Sequence, residues 1–313
     1  MHIAEGILPF NWAALWYLVA SPFLAKGILD IKRRSRQSLS FKPFLGMMGA
    51  VVFIISCMPV PVPTAGTCSH PCGTAISAIL LGPIMSIFIS SIALLLQALF
   101  LAHGGLTTLG ADIVSMGVVG SFTGYFVFKL LRRFRASLFV SAFAAGLLGD
   151  WATYMATSFE LSSALAGGKP VFALFTRILL AFIPTQLPLG ILEGFLTGGA
   201  VIFVYKRRPD ILVSLGVIKA QAKIICVTLI FLLTAACPVF AQNKWAGVDE
   251  NVVEKIAEEH GRAARPSLIN TDQGDLLLFV FLLAGTLGGF VLGYNFRRLF
   301  VEKDDLRNVK RGI

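Results

Sequence analysis

Long apolar runs that end in clusters of basic residues are the feature that most constrains this chain. The first run covers residues 12–31 and closes at Lys32-Arg33-Arg34, and further clusters stand at 129–135, 206–208 and 297–311. A spanning helix needs about 20 apolar residues, and lysine and arginine mark the cytoplasmic ends of such helices. Because 56% of the residues are hydrophobic and 14% are charged, the sequence predicts an all-α, polytopic transmembrane helical bundle.

The runs also predict a topology. About seven spans fall within residues 1–215 and two within 216–313, from the runs 12–31, 43–59, 74–101, 110–131, 138–159, 171–205, 219–241 and 275–296. Run 74–101 is too short for two full spans, so we expect one short and one full leg there. We expect IPTQLP to break run 171–205. With the basic clusters inside, the N-terminus is extracytoplasmic and the C-terminus cytoplasmic, in the inner (plasma) membrane.

The net charge of +10 does not indicate nucleic acid, because the basic residues stand at the ends of apolar runs, where the partner is lipid. Two enzyme signatures, HExxH and the phosphate-binding GxxxxGK[ST], are missing from the sequence, which argues against a metalloprotease and against a self-powered ATPase. We therefore expect neither catalytic residues nor a resident cofactor. A passive channel and an outer-facing sensor both stay open as functions of such a membrane protein.

The amino terminus carries an unusual candidate metal site. A bulky residue at position 2 disfavours removal of Met1, and we expect no cleavable signal before His2, so the α-amine of Met1 stays free. This amine, the His2 amide and the His2 ring can close two small chelate rings around one ion. His70, in a Pro- and Gly-rich loop on the same side, can supply a fourth nitrogen. Such a tetragonal set suits Ni(II) or Cu(II), and Co(II) also accepts it. The alternative is a histidine in a disordered terminus and a hydrogen-bonding loop histidine.

Several neighbours of this predicted site have two interpretations each. Ser69, Cys68 and His103 are candidates for its surroundings or its access route, although His103 before Gly104-Gly105 more simply fixes its own turn by hydrogen bonding. Asp150, Glu160 and Glu193 lie in or beside apolar runs, where acids are functional candidates, but helix-end capping explains them about equally well.

Four stretches together resemble one transporter family: MHIAEGILP, TCSHPCGTAISAILLGP, LLLQALFLAHGGLTTLGADIVSMGVVG and FIPTQLPLGILEG. They are similar to CbiM/NikM, the membrane substrate-binding (S) components of energy-coupling factor (ECF) importers for cobalt and nickel. The resemblance implies high-affinity capture of Co2+ or Ni2+, with cobalt slightly favoured, by Met1, His2 and His70. It also implies a CbiQ/NikQ-like coupling subunit and CbiO/NikO-like cytoplasmic ATPases, and a supply of metal for cobalamin or nickel enzymes. Cys68, Cys72 and Asp112 depart from the expected Ser, Thr and Asn.

The C-terminal part, residues 216–313, resembles the small CbiN/NikN partner of these importers. It has two apolar runs around a polar segment, which we expect to be an extracytoplasmic loop, and we interpret His260 there as a solvated residue. In the last run Gly285, Gly289 and Gly293 allow close helix approach. For attachment of the coupling subunit, the small-residue pairs Ser21–Ala25, Gly46–Ala50 and Gly120–Gly124 are candidates, of which the first is favoured.

Overall fold

The structure is a computed structural model, and it describes residues 2–37, 41–62, 67–218, 247–269 and 276–301. The predicted span 219–241 and the residue Met1 lie outside the described residues. Within them, the chain is built from helices and one small hairpin: α1 Phe10–Gln37, α2 Phe41–Cys57, β1 Val60–Val62, β2 Thr67–Ser69, α3 Thr74–Leu81, α4 Pro83–Phe100, α5 Leu109–Asp112, α6 Ser121–Arg133, α7 Leu138–Leu165, α8 Val171–Arg207, α9 Pro209–Ser214, α10 Lys255–Glu259 and α11 Leu276–Phe296.

Six stretches of described helix are long and apolar enough to cross a membrane, which confirms the predicted polytopic all-α class. They are Phe10–Arg36, Pro83–Phe100, Leu109–Arg133, Leu138–Leu165, Val171–Arg207 and Phe279–Leu299. The stretch Leu109–Arg133 joins α5 to α6 through a π-helical segment, Ile113–Gly120. The apolar helix α2 is shorter, with 17 residues.

The predicted short leg is present in run 74–101. The eight-residue helix α3 ends at Gly82, and α4 begins at Pro83 and continues for 18 residues. Gly82 has a φ of +89°, a conformation that glycine adopts at little cost, and proline is well tolerated at a helix start. Because α3 is short and all its residues are buried, the loop before it lies deep in the bundle.

The predicted break at IPTQLP is wrong, because α8 runs without interruption from Val171 to Arg207 with Pro184 and Pro188 inside it. Proline removes one main-chain donor, but neighbouring helices can satisfy the carbonyls around it. The carbonyls that lose their helical donor are those of Leu180 and Pro184, while the Trp151 indole Nε1 of α7 donates to the nearby carbonyl of Gln186 at 3.0 Å. The helices α7 and α8 are therefore in contact beside the two prolines.

Glycines allow α3, α6 and α7 to approach closely. A Cβ at Gly120 would lie 2.6 Å from Thr153 Oγ1, and one at Gly124 would lie 3.0 Å from Ala75 Cβ. The Gly120–Gly124 face is therefore covered by other helices of this chain. The prediction that it could be an attachment surface for a coupling subunit is corrected.

The last helix, α11, packs against α2. Gly46 faces Asn295 of α11, and a Cβ at Gly288 would lie 3.4 Å from Ile54. Together with α4 these helices line an apolar groove of about 680 Å³ that includes Gly46 and Ala50. Gly46 and Ala50 thus face this groove between α2, α4 and α11, whereas Ser21 and Ala25 on α1 are exposed.

Candidate metal centre

Three of the four histidines of the chain meet in one cluster. His2 precedes α1, His70 follows β2, and His103 lies in the turn after α4. The His2 ring centroid lies 4.7 Å from that of His70 and 4.2 Å from that of His103. The Nε2 atoms of His70 and His103 are 2.8 Å apart, within hydrogen-bond distance. The ring of His103 therefore bonds His70, which corrects the expectation that it fixes its own turn.

A carboxylate from the C-terminal part completes the cluster. Asp249 Oδ2 lies 3.9 Å from His2 Nδ1 and 3.7 Å from His103 Nε2. One donor atom from each of the four residues lies within 4.8 Å of the others, a spacing that can hold a metal ion. Sequence reasoning missed Asp249, because it stands in a polar segment without a recognisable ligand spacing.

The amino-terminal segment is fixed in place by the turn that carries His103. The Ile3 N–H donates to Asp112 Oδ1 at 3.0 Å, and the Thr108 hydroxyl donates to the Ile3 carbonyl. A Cβ at Gly105 would lie 2.6 Å from Glu5 Cα, and Gly104 has a φ of +79°. Since only glycine fits both positions without strain, the pair Gly104-Gly105 is what lets the His2 segment lie so close.

His2 and His70 are buried and keep unsatisfied ring nitrogens. Among the residues the structure describes, neither nitrogen of His2 has a hydrogen-bond partner, and His70 Nδ1 has none. Burial lowers the pKa of His2 well below its usual range, and the neighbouring histidines add to this effect. Burial likewise lowers the pKa of His70. Both rings are therefore neutral near pH 7 and offer lone pairs to a cation. Buried polar atoms without hydrogen-bond partners are rare in proteins, so these nitrogens are suited to bind a cation.

The loop that carries His70 is held from behind by α7 and α8. Ser69 Oγ lies 3.0 Å from the Tyr154 hydroxyl and accepts a bond from Gln186 Nε2 at 3.1 Å. Cys68 lies in β2, opposite Pro61. Ser69 thus anchors the loop, which agrees with a place in the surroundings of the centre.

Two buried acids, Asp150 and Glu193, lie in the middle of α7 and α8, so any helix end that they cap belongs to another helix. Glu193 accepts main-chain N–H bonds from Cys72 at 2.6 Å and Gly73 at 2.9 Å. Gly73 is the N-cap residue, directly before α3. Glu193 therefore fixes the far end of the His70 loop.

The segment 247–269 lies against the amino terminus. The Arg262 guanidinium donates to the carbonyls of Gly6, Ile7 and Leu8, at 2.9 to 3.0 Å. The Arg265 N–H donates to the Glu5 carbonyl at 2.7 Å. The His260 ring lies apart from the cluster and bonds the Ile256 carbonyl through Nδ1. The segment 247–269 and the amino-terminal segment therefore meet beside the histidine cluster.

The chain matches known proteins over most of its length. The family model CbiM, described as cobalt uptake substrate-specific transmembrane region, matches residues 2–211. The chain is 61% identical over 314 residues to the cobalt transport protein CbiM of Geobacter sulfurreducens, covering 97% of this chain and 91% of that protein. It is 57% identical over 219 residues to the cobalt transport protein CbiM of Sorangium cellulosum, covering 70% of this chain and 97% of that protein.

A solved structure has the same fold. A crystal structure described as a truncated transition metal transporter superposes with a TM-score of 0.57 at 26% identity, covering 66% of this chain and 99% of that one.

Proposed function

We propose that this chain, which belongs to the CbiM family, captures a divalent transition-metal ion at the outer face of the plasma membrane for import. Cobalt is the favoured cargo, since the family is described by cobalt uptake and nitrogen ligands accept Co2+ as well as Ni2+. The observation that carries the proposal is the buried cluster of neutral histidines, in which His2 has two ring nitrogens without a partner among the described residues.

The ligands we propose are the Met1 amine, the His2 amide, the His2 ring and His70. The unsatisfied nitrogens of His2 and His70 support this set. His103 and Asp249 stand next to it: His103 can orient His70 through their shared contact, and the Asp249 carboxylate adds negative charge beside a dication. A cage dominated by nitrogen disfavours Mg2+ and Ca2+, which prefer oxygen ligands.

The energy for import comes from partners in this proposal. The sequence has no GxxxxGK[ST] motif, so a CbiQ/NikQ-like membrane subunit and CbiO/NikO-like cytoplasmic ATPases would supply it, as in an ECF complex. We propose the N-terminus outside and the C-terminus in the cytoplasm, with residues 1–215 as the metal-binding domain and 216–313 as a fused CbiN/NikN-like module. The contacts of Asp249 and Arg262 with the amino-terminal segment support a working connection between the two parts.

Metal analysis of the purified protein tests the cargo and the cage. We expect cobalt to be retained preferentially when Co2+, Ni2+, Cu2+ and Zn2+ are offered together under anaerobic conditions. One alanine inserted between Met1 and His2 changes the chelate ring sizes and should remove most of the bound metal. Equal metal content in the wild type and the insertion variant would refute the chelate.

Uptake by cells separates the importer from a channel. Accumulation of cobalt should stop when the ATPase subunits are deleted. Accumulation that continues without them would identify a passive channel, and metal binding without any accumulation would identify a sensor.

A further inference from the structure

A second group of ionisable side chains lies fully inside the bundle, close to the histidine cluster along the chain. It consists of Cys72, two residues after His70, with Asp150 of α7 and Glu193 of α8, and we call it the inner triad. The thiol sulfur and one oxygen of each carboxylate lie within 4.8 Å of one another. The three residues are at most 1% exposed. The proposed import function gives this triad no role.

Glu193 brings negative charge to the inner triad. Its two oxygens accept the main-chain N–H groups of Cys72 and Gly73 at 2.6 and 2.9 Å. Short bonds of this kind are typical of an ionised carboxylate. These donors stand at the start of α3, where the helix dipole also favours a negative charge.

Asp150 brings an oxygen that lacks a partner. Its Oδ1 accepts from Cys72 Sγ at 3.7 Å, but its Oδ2 has no hydrogen-bond partner among the described residues and is buried. Leaving such an atom unpaired in the interior is costly whether the group is ionised or protonated. A cation held between the thiol and the two carboxylates would remove that cost and balance the charge of Glu193.

We propose that Cys72, Asp150 and Glu193 form an inner site for a divalent transition-metal cation, separate from the histidine cluster. One sulfur and two carboxylate groups suit borderline ions such as Co2+ or Zn2+, whereas Mg2+ and Ca2+ do not favour sulfur. On binding, the S–H bond of Cys72 breaks, a sulfur–metal bond forms and the proton leaves to solvent.

His70 and Cys72 stand on one loop, so this loop carries candidate ligands of both sites. An ion released by the histidines would find a candidate ligand of the inner triad two residues further along this loop. That place on a transport route rests on the proposed function, but the existence of the inner site does not.

Cobalt spectroscopy on the full-length protein tests the inner site. The purified chain is loaded with Co2+ without oxygen, and the thiolate-to-cobalt charge-transfer absorption and the cobalt content are measured. We expect this absorption in the wild type, with about two cobalt ions per chain when both sites fill. Cys72→Ser should abolish the absorption and lower the content by about one ion. Cys57→Ser, which changes a thiol on α2 outside the triad, is the matched control and should alter neither.

Two further variants keep the result interpretable. Asp150→Asn preserves the size of the side chain and the Cys72 thiol, and it should also cost about one cobalt ion. His70→Ala removes a proposed outer ligand and should leave the charge-transfer absorption intact. A wild type without this absorption, or absorption that survives Cys72→Ser, would overturn the inner site. Unchanged cobalt content in His70→Ala would instead count against the proposed site at the histidine cluster. The two proposals can therefore be refuted independently of each other.

Discussion

Arg262 holds the C-terminal segment onto the amino terminus, and its loss should loosen that segment measurably. Its guanidinium makes three bonds to the carbonyls of Gly6, Ile7 and Leu8. A hydrogen bond from a charged group contributes about 1.5–3 kcal/mol, but Arg262 is only partly buried. Since water competes for an exposed charge, we take about 2–3 kcal/mol for all three together. Arg262→Ala should therefore raise the open population of the segment about 30- to 160-fold.

Amide hydrogen exchange followed by mass spectrometry measures this opening. Peptides that cover residues 247–262 should exchange faster in Arg262→Ala by about that factor. Arg177→Ala is the matched control, because Arg177 bonds Glu259 of the same segment at 2.8 Å while both side chains are more than half exposed. An exposed pair contributes about 0–1 kcal/mol, so exchange should rise by about fivefold at most. Equal acceleration in both variants would refute the reasoning.

Three further predictions concern pH, coupling and topology. Since the pKa values of His2 and His70 are lowered below the usual 6.5, protons should compete with Co2+ only at pH values below that range. In the same pH range the histidines of the unfolded chain bind protons before those of the folded chain, so the free energy of unfolding should fall as pH falls below 6.5. Titrations of cobalt binding and of thermal stability against pH measure these two effects. Cobalt binding that is already lost near pH 7 would contradict the prediction. Ala25→Leu on the exposed face of α1 should abolish cobalt uptake and co-purification of the coupling subunit but leave metal binding intact, and normal uptake would exclude this face. A cysteine introduced at Arg133 should resist an impermeant thiol reagent on intact cells and one at Lys255 should react, and the reverse pattern would invert the proposed orientation.

Chain length and hydropathy were sufficient for much of the fold. The short leg followed from arithmetic alone, because 28 residues cannot cross a membrane twice, and the structure has α3 and α4 in its place. The predicted break at IPTQLP, by contrast, is absent from the structure. Whether a proline breaks a helix depends on its surroundings in the fold, and contacts such as that of Trp151 of α7 with Gln186 of α8 come from another helix.

Small residues predicted close helix approach but not the identity of the neighbour. Gly120 faces Thr153 and Gly46 faces Asn295, both within this chain, whereas Ser21 and Ala25 are exposed. Residue size is a local property, and the neighbour is set by the whole arrangement of helices. Asp249 escaped prediction for the same reason, because its approach to His2 is a long-range contact without a local signal.

Burial of the histidine cluster fixes an order of events for the proposed capture. His2 and His70 are 2% and 5% exposed, and Asp249 lies beside His2, so we expect the segment that carries Asp249 to move outward when a hydrated ion enters. A bound dication then attracts the Asp249 carboxylate, which favours the closed arrangement over the open one. The bonds of Arg262 favour the closed arrangement whether or not an ion is bound. Asp249 favours the closed arrangement mainly when an ion is bound. The difference between these two contributions is what would let the C-terminal part respond to occupancy of the site.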